Sequence, residues 1–197
     1  MYKRQVVTPT HVPPVLNGFD ENAVEAALRI KDRQEAEITI VSLGQSFALD
    51  VIKKPLSMGC DNLVLVEDPS LSNTIDSTLT ASLLASTVRK LGIPDLILCG
   101  RQASDWDNAQ VPLMIAEFLN LPCITVAKHL EVAENLIVVQ KHTPEGTYVL
   151  ECPLPALVTV SNELGQPRYP TLRGIMAATR KQPTIWMTND LDVASSD

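Results

Sequence analysis

Apolar positions along this chain follow two rhythms, one of helices and one of strands. From Phe19 to Lys31, Val24, Ala27, Leu28 and Lys31 fall at i, i+3, i+4 and i+7, which draws one stripe along a helix that ends in charge. The next run, Glu37 to Leu43, is rich in β-branched residues and closes at Gly44, as a buried strand with a tight exit does. A weaker helical stretch spans Ser46 to Met58. Pro55 lies inside it and has no backbone donor, so the helix should kink or restart there before ending at Gly59. Leu63–Val66 reads as a short strand, Ile75–Leu91 as a long helix stopped by Gly92 and Pro94, and Asp95–Cys99 as another buried strand followed by Gly100.

Strands separated by helices of this length imply right-handed crossovers and a parallel sheet. After Cys123 the pattern changes to strand after strand: Ile124–Val132, Leu136–His142, Thr147–Cys152 and Ala156–Val160, with turn signals at Glu134-Asn135 and Pro144-Glu145-Gly146. These read as antiparallel strands added to the parallel unit, followed by a short helix over Thr171–Arg180. The expected fold class is α/β, a doubly wound and mostly parallel sheet with an antiparallel C-terminal extension. Residues 1–181 form the domain and residues 182–197 a polar, loosely held tail.

Composition narrows the function. The 197 residues carry a net charge of −7 with no basic stripe, which argues against nucleic acid as a partner. No apolar run approaches the roughly 20 residues that span a bilayer, and Met1–Gln5 lacks the apolar segment of a signal peptide. The four cysteines are scattered without any C-x-x-C pair, so they read as buried free thiols rather than as disulfides or metal ligands. His11, His129 and His142 are far apart and have no ligand or nucleophile spacing around them. Neither G-x-x-x-x-G-K-(S/T) nor G-x-G-x-x-G occurs.

Candidate chemistry concentrates in one loop. In an open parallel sheet, ligands bind beyond the carboxyl ends of the strands. There the chain runs Gly100, Arg101, Gln102, Ala103, Ser104, Asp105, Trp106, Asp107, Asn108, Ala109, Gln110, Val111, Pro112, and then enters an amphipathic helix with Met114, Ile115, Phe118 and Leu119. Gly100 permits a sharp turn or a close approach to a ligand, and the helix entrance offers free amides to a phosphate. Asp107 and Gln110 have capping-box spacing, which starts the helix near Asn108, whereas Pro112 argues for a later start. Asp105 and Asp107 suit ribose contacts, helix capping or pairing with Arg101 better than they suit phosphate.

The loop resembles the signature of electron-transfer flavoprotein β-subunits, G-(K/R)-Q-A-x-D-x-D-x-x-Q, matched by Gly100, Arg101, Gln102, Ala103, Asp105, Asp107 and Gln110. Three further stretches are similar to the same family in the same order. Asn17–Leu28 resembles its N-P-(F/Y)-(D/C)-E-x-A segment, Pro153–Val160 its late strand, and Pro167-Arg168-Tyr169 with the following helix its P-R-Y motif.

The resemblance implies a Rossmann-like, adenine-nucleotide-binding subunit that pairs with an α-subunit. Together they pass electrons from flavin dehydrogenases to a downstream acceptor, as a carrier and not an enzyme. Its pocket would comprise Asn17, Gly18, Phe19 and Asp20, the turn at Leu43 and Gly44, and Gly100 to Val111 including Asn108. Backbone near Leu43 would meet adenine, and Ala109–Val111 would hold phosphate. The cofactors implied are FAD shared with the α-subunit, and AMP or a second FAD in this chain. AMP-binding members carry Asn-Gln-Thr where this chain has Ala109-Gln110-Val111, so a phosphate-contacting hydroxyl is lost here. Trp106 replaces a residue that is usually small or acidic.

The family opens with a strand of the type K-I-x-V-x-V-K-x-V-x-D that has no counterpart here, and Met1–Gln5 reads as sequence joined to a fragment. The chain stops at Asp197, near the start of the family's partner-recognition loop. The expectation is therefore a product short at both ends, bacterial and cytoplasmic, or of the mitochondrial matrix if eukaryotic. Two other classes fit the same loop: a stand-alone adenine-nucleotide sensor, and a metal-dependent nucleotide hydrolase using Asp105 and Asp107. Co-purification with an α-subunit separates the first, and metal-dependent turnover lost in Asp107→Asn identifies the second.

Overall fold

A computed structural model of the chain describes residues 13–71 and 76–192. Met1–Gln5 and His11 lie outside the described residues. Strands and helices alternate as the two rhythms predict, and they assemble as a mixed, mostly parallel α/β fold of the Rossmann-like kind. Helix α1 (Gly18–Lys31) leads to β1 (Thr39–Gly44), the short helices α2 (Leu49–Ile52) and α3 (Lys54–Met58), and β2 (Asn62–Glu67). Pro55 stands in the first turn of α3, where its missing N–H costs nothing, and Gly59 ends that helix at φ 126°. Helix α4 (Ser77–Leu91) is capped by Asp76, whose carboxylate accepts from the Leu79 amide at 2.9 Å. Then follow β3 (Leu96–Gly100) and α5 (Val111–Leu119).

Strands β4 (Cys123–Ala133), β5 (Leu136–Thr143) and β6 (Gly146–Pro153) form an antiparallel meander. The fourth late strand, β7 (Ala156–Val160), departs from the expected antiparallel extension. It inserts between β3 and β4 and runs parallel to both, giving the order β3-β7-β4-β5-β6. All five of its residues are buried. A continuous apolar run of this kind suits a strand covered on both faces, which only an interior position supplies.

Of the stretch expected as a loose tail, residues 182–192 lie against the body, and residues 193–197 fall outside the described residues. After α6 (Leu172–Arg180), β8 (Thr184–Trp186) pairs in parallel with β2 and completes a second sheet, β1-β2-β8. Leu191 is buried with Val66, Leu71 and Leu83. Thr188 donates its hydroxyl to Asp68, and hydrogen bonds there from Ser70 and Thr188 hold the Asp68 carboxyl down at about 2. Lys90 donates to the Asp190 carbonyl at 2.6 Å and sits 4.5 Å from the centre of the Trp186 ring.

Helices cover both faces of the strands. On one face Ala23 and Ala26 of α1 pack on Val158 and Val160, while Val24 and Leu28 of the same helix pack with Leu63 and Leu65. Helix α1 thus bridges the two sheets. On the other face α4 does the same, with Leu83 against Val66 and Ala81 against Leu157 and Ile115. Burial of each valine, leucine or isoleucine among them contributes about 1.5–3 kcal/mol, and each alanine less. Strands β1 and β3, which read as fully buried, are mostly half-exposed. Each has a single neighbouring strand among the described residues, so one flank stays open.

Candidate functional site

Helix α1 fixes where the strand ends lie. Its first turn abuts Gly100, where a Cβ would come within 2.7 Å of Phe19 and Asp20. At its last turn Lys31 pairs at 2.5 Å with Asp61, which also accepts the Ile38 amide at 2.8 Å. The helix therefore runs opposite to β1 and β3 alike, and Gly44 and Gly100 end on the same side of the molecule.

The structure brings the Asn17–Asp20 turn and the start of the Gly100 loop into one clasp. Asp20 accepts the Gly100 amide at 2.8 Å on one carboxylate oxygen and the Asn17 side-chain amide at 2.8 Å on the other. Asn17 donates further to the Gln102 carbonyl at 2.8 Å and accepts the Ser104 amide at 3.3 Å. The Arg101 guanidinium lies 5.1 Å from the Phe19 ring centre, and its backbone amide donates to the Val160 carbonyl at 2.9 Å. Asp20 is exposed as a residue, but its carboxyl end is wedged between the two segments. Desolvation there pushes its pKa up against the opposing hydrogen bonds from Asn17 and Gly100.

The glycine at position 100 is thus required for close approach to helix α1. Asn17 and Asp20 face the loop they hold, so their side chains position the site while Gly18 stays open above it. One polar atom in the clasp is left over: Arg101 Nε is buried without an acceptor among the described residues. A buried guanidinium N–H without an acceptor is costly, and an anionic oxygen would satisfy it. A phosphate-bearing group fits this donor.

Beyond Ser104 the loop is different. Ala103 to Gln110 are all exposed, and Trp106 retains 61% of its accessible surface. Asp107 donates its amide to the Ala103 carbonyl at 2.9 Å and, like Ala109, adopts left-handed backbone, with φ 58° and 53° respectively. Asp107 does not cap α5. The helix starts at Val111, with Gln110 at the cap position making no side-chain bond and its carbonyl accepting the Met114 amide at 3.1 Å. Pro112, in the first turn, wins over the capping-box spacing because only there is its missing donor harmless. Asp105 and Asp107 form no ion pair with Arg101 among the described residues.

Leu43 turns its side chain into the core beside Val66 and Leu71, leaving its backbone at the strand end, while the Gly44 carbonyl accepts the Asp68 amide at 3.0 Å. No described hydrogen bond joins Leu43 or Gly44 to the clasp. Two features go beyond what the sequence pattern shows. Val126 takes φ 60° at a bulge in β4, beside the end of β7, and donates its amide to the Thr159 hydroxyl at 2.9 Å. Nothing in a β-branched residue signals that conformation. The second is the role of Arg168, which binds buried Glu25 at 2.9 Å and Asp32 at 2.6 Å, tying the P-R-Y segment to α1. Burial alone would raise the Glu25 pKa, but Arg168 and Arg29 hold it below the ordinary range.

Open, mostly parallel strands with a glycine-led loop at their carboxyl ends define a Rossmann-like α/β protein. Comparison with known proteins goes further: the pattern of the electron transfer flavoprotein domain matches residues 5–190, and the chain belongs to that family. It is 40% identical over 186 residues to the electron transfer flavoprotein subunit beta of Megasphaera elsdenii, covering 91% of this chain and 68% of the relative. To the subunit of the same name from Thermoanaerobacterium thermosaccharolyticum it is 34% identical over 187 residues, with 94% and 71% covered. The caffeyl-CoA reductase-Etf complex subunit CarD of Acetobacterium woodii shares 36% over 184 residues, with 93% and 70% covered. Proteins of this family are electron carriers rather than enzymes.

Proposed function

We propose that this chain serves as the β-subunit of a heterodimeric electron-transfer flavoprotein and holds an adenine nucleotide at the strand ends. With an α-subunit it shuttles electrons from flavin dehydrogenases to a downstream acceptor. The observation that carries this reading is the clasp: two distant segments lock the Gly100 loop and leave the buried Arg101 Nε facing no protein acceptor.

In this reading Arg101 and the α5 entrance at Ala109–Val111 meet phosphate, the Leu43–Gly44 backbone meets adenine, and Asp105, Asp107, Asn108 and Gln110 line the open rim. Asn17 and Asp20 keep the loop in place. Flavin supplies the redox chemistry, and the chain supplies position and field. The resident nucleotide is AMP or a second FAD, with FAD shared with the α-subunit. No described helix is long and apolar enough to cross a membrane, which accords with a cytoplasmic carrier.

Co-expression with the cognate α-subunit, followed by release and quantitation of bound nucleotide, tests the proposal. Two FAD per heterodimer identifies the second-flavin type, and one FAD with one AMP the simpler carrier. Absence of both complex and nucleotide overturns the reading.

A further inference from the structure

The arginines around helix α1 differ in what they face. Arg29 and Arg168 bind the buried Glu25 carboxylate at 2.8 and 2.9 Å, and Arg33 reaches Glu131 at 3.3 Å. Arg101 is half-buried and has no carboxylate. Among the described residues its guanidinium makes no hydrogen bond and no ion pair. Its neighbour is instead a ring. The guanidinium carbon lies 5.1 Å from the centre of the Phe19 ring, within the range over which the negative face of an aromatic attracts a cation.

Backbone fixes both members of this pair. Phe19 stands in the first turn of α1, so close to Gly100 that a Cβ there would come within 2.7 Å of the Phe19 carbonyl carbon. The Arg101 amide donates to the Val160 carbonyl at 2.9 Å, and the Gly100 amide to Asp20 at 2.8 Å. Ring and guanidinium therefore meet on a mount that neither side chain has to supply. A free arginine samples many rotamers, and a ligand that captures it loses affinity to that ordering. A ring face restrains the guanidinium without using its N–H groups, because the attraction is to the whole cation. A carboxylate in the same place would consume the donors and cancel the charge. Here the donors stay free, and Nε is buried and unpaired.

We propose that Phe19 is a positioning residue for anion binding. Its ring holds the Arg101 guanidinium in place, donors and charge free, for the phosphate of the bound nucleotide. This deepens the nucleotide-binding reading above and rests on it. Phe19 acts through Arg101, so its contribution disappears when the guanidinium does.

The test is a double-mutant cycle on the full-length chain, with AMP and FAD as titrants and dissociation constants read by calorimetry. Phe19→Leu keeps an apolar side chain but removes the π face, and is expected to weaken binding about three- to tenfold. Phe19→Tyr keeps the face and is expected to bind as the wild type does. In an Arg101→Gln background, Phe19→Leu is expected to cost nothing further. The Arg101 Nε–H proton, shifted upfield by the ring in the nucleotide-free wild type, is expected to lose that shift in Phe19→Leu. Wild-type affinity in Phe19→Leu overturns the proposal, and so does an equal loss in both backgrounds, which would make the ring a packing element only. Absence of the ring shift in the wild type overturns it without any variant. Binding that Arg101→Gln leaves unchanged keeps the nucleotide but removes this role from both side chains. If the wild type binds neither AMP nor FAD, the nucleotide reading itself fails and takes this inference with it.

Discussion

The two halves of the loop between β3 and α5 are opposites. From Gly100 to Ser104 the backbone is fixed by Asn17, Asp20 and the end of β7, and a single methyl group at Gly100 has no room. From Asp105 to Gln110 the side chains are exposed, two residues sit in left-handed backbone, and the helix that follows has no side-chain cap. One half is over-determined by its own protein and the other is held by little except its ends. Strained, exposed backbone next to a rigid anchor is how a binding loop is commonly built, because unsatisfied groups at the open half stay available to a ligand.

Breaking the rigid half should cost most. Gly100→Ala is expected to lower unfolding free energy by about 2–3 kcal/mol through overpacking against Phe19 and Asp20, read as a shift of the urea midpoint. Asn17→Ala removes three hydrogen bonds but opens the site to water; a loss of about 2 kcal/mol is expected, with faster amide exchange at Gln102 and Ser104. At the open half the sign reverses. Ala109→Gly relieves a left-handed alanine at φ 53° and should stabilise the chain by about 0.5–1 kcal/mol after the added freedom of the unfolded chain is counted. A destabilising result would show that the alanine methyl packs usefully.

The smallest effect concerns protonation. The Asp20 carboxyl is raised from its ordinary 3.8, so its contribution is complete below that value and is lost as pH rises through the folded value. Stability of the wild type relative to Asp20→Asn should therefore fall as pH rises across that window. A rising difference would mean that the Asn17 and Gly100 hydrogen bonds outweigh the desolvation.

Periodicity and punctuation carried much of the fold. The helix over Gly18–Lys31, the restart at Pro55 and the stops at Gly59 and Gly92 are local events, and local sequence encodes them. Pairing partners are not local. Ala156–Val160 reads as a strand, but its place between β3 and β4 depends on where distant segments lie, so the local pattern alone groups it with the antiparallel extension. The three residues of β8, set between Pro183 and polar Thr188, are too short to show any period. Half-exposure of β1 and β3 likewise reflects their having one neighbouring strand each among the described residues rather than their composition. In the candidate site the loop and the Asn17–Asp20 turn were legible as chemistry, but not who holds whom. Asp20 braces the loop through Asn17 and Gly100, and Pro112 rather than the Asp107–Gln110 spacing sets the helix start.

The chain's two tryptophans occupy opposite circumstances. Trp106 stands in solvent on the open half of the loop, whereas Trp186 is partly buried beside Leu191 under the ammonium of Lys90. Each indole therefore emits from a different medium, the first at longer wavelength and open to acrylamide, the second shielded. The protein carries its own pair of optical gauges, one watching the mouth of the strand ends and the other the seam where its last short strand is stitched to the body.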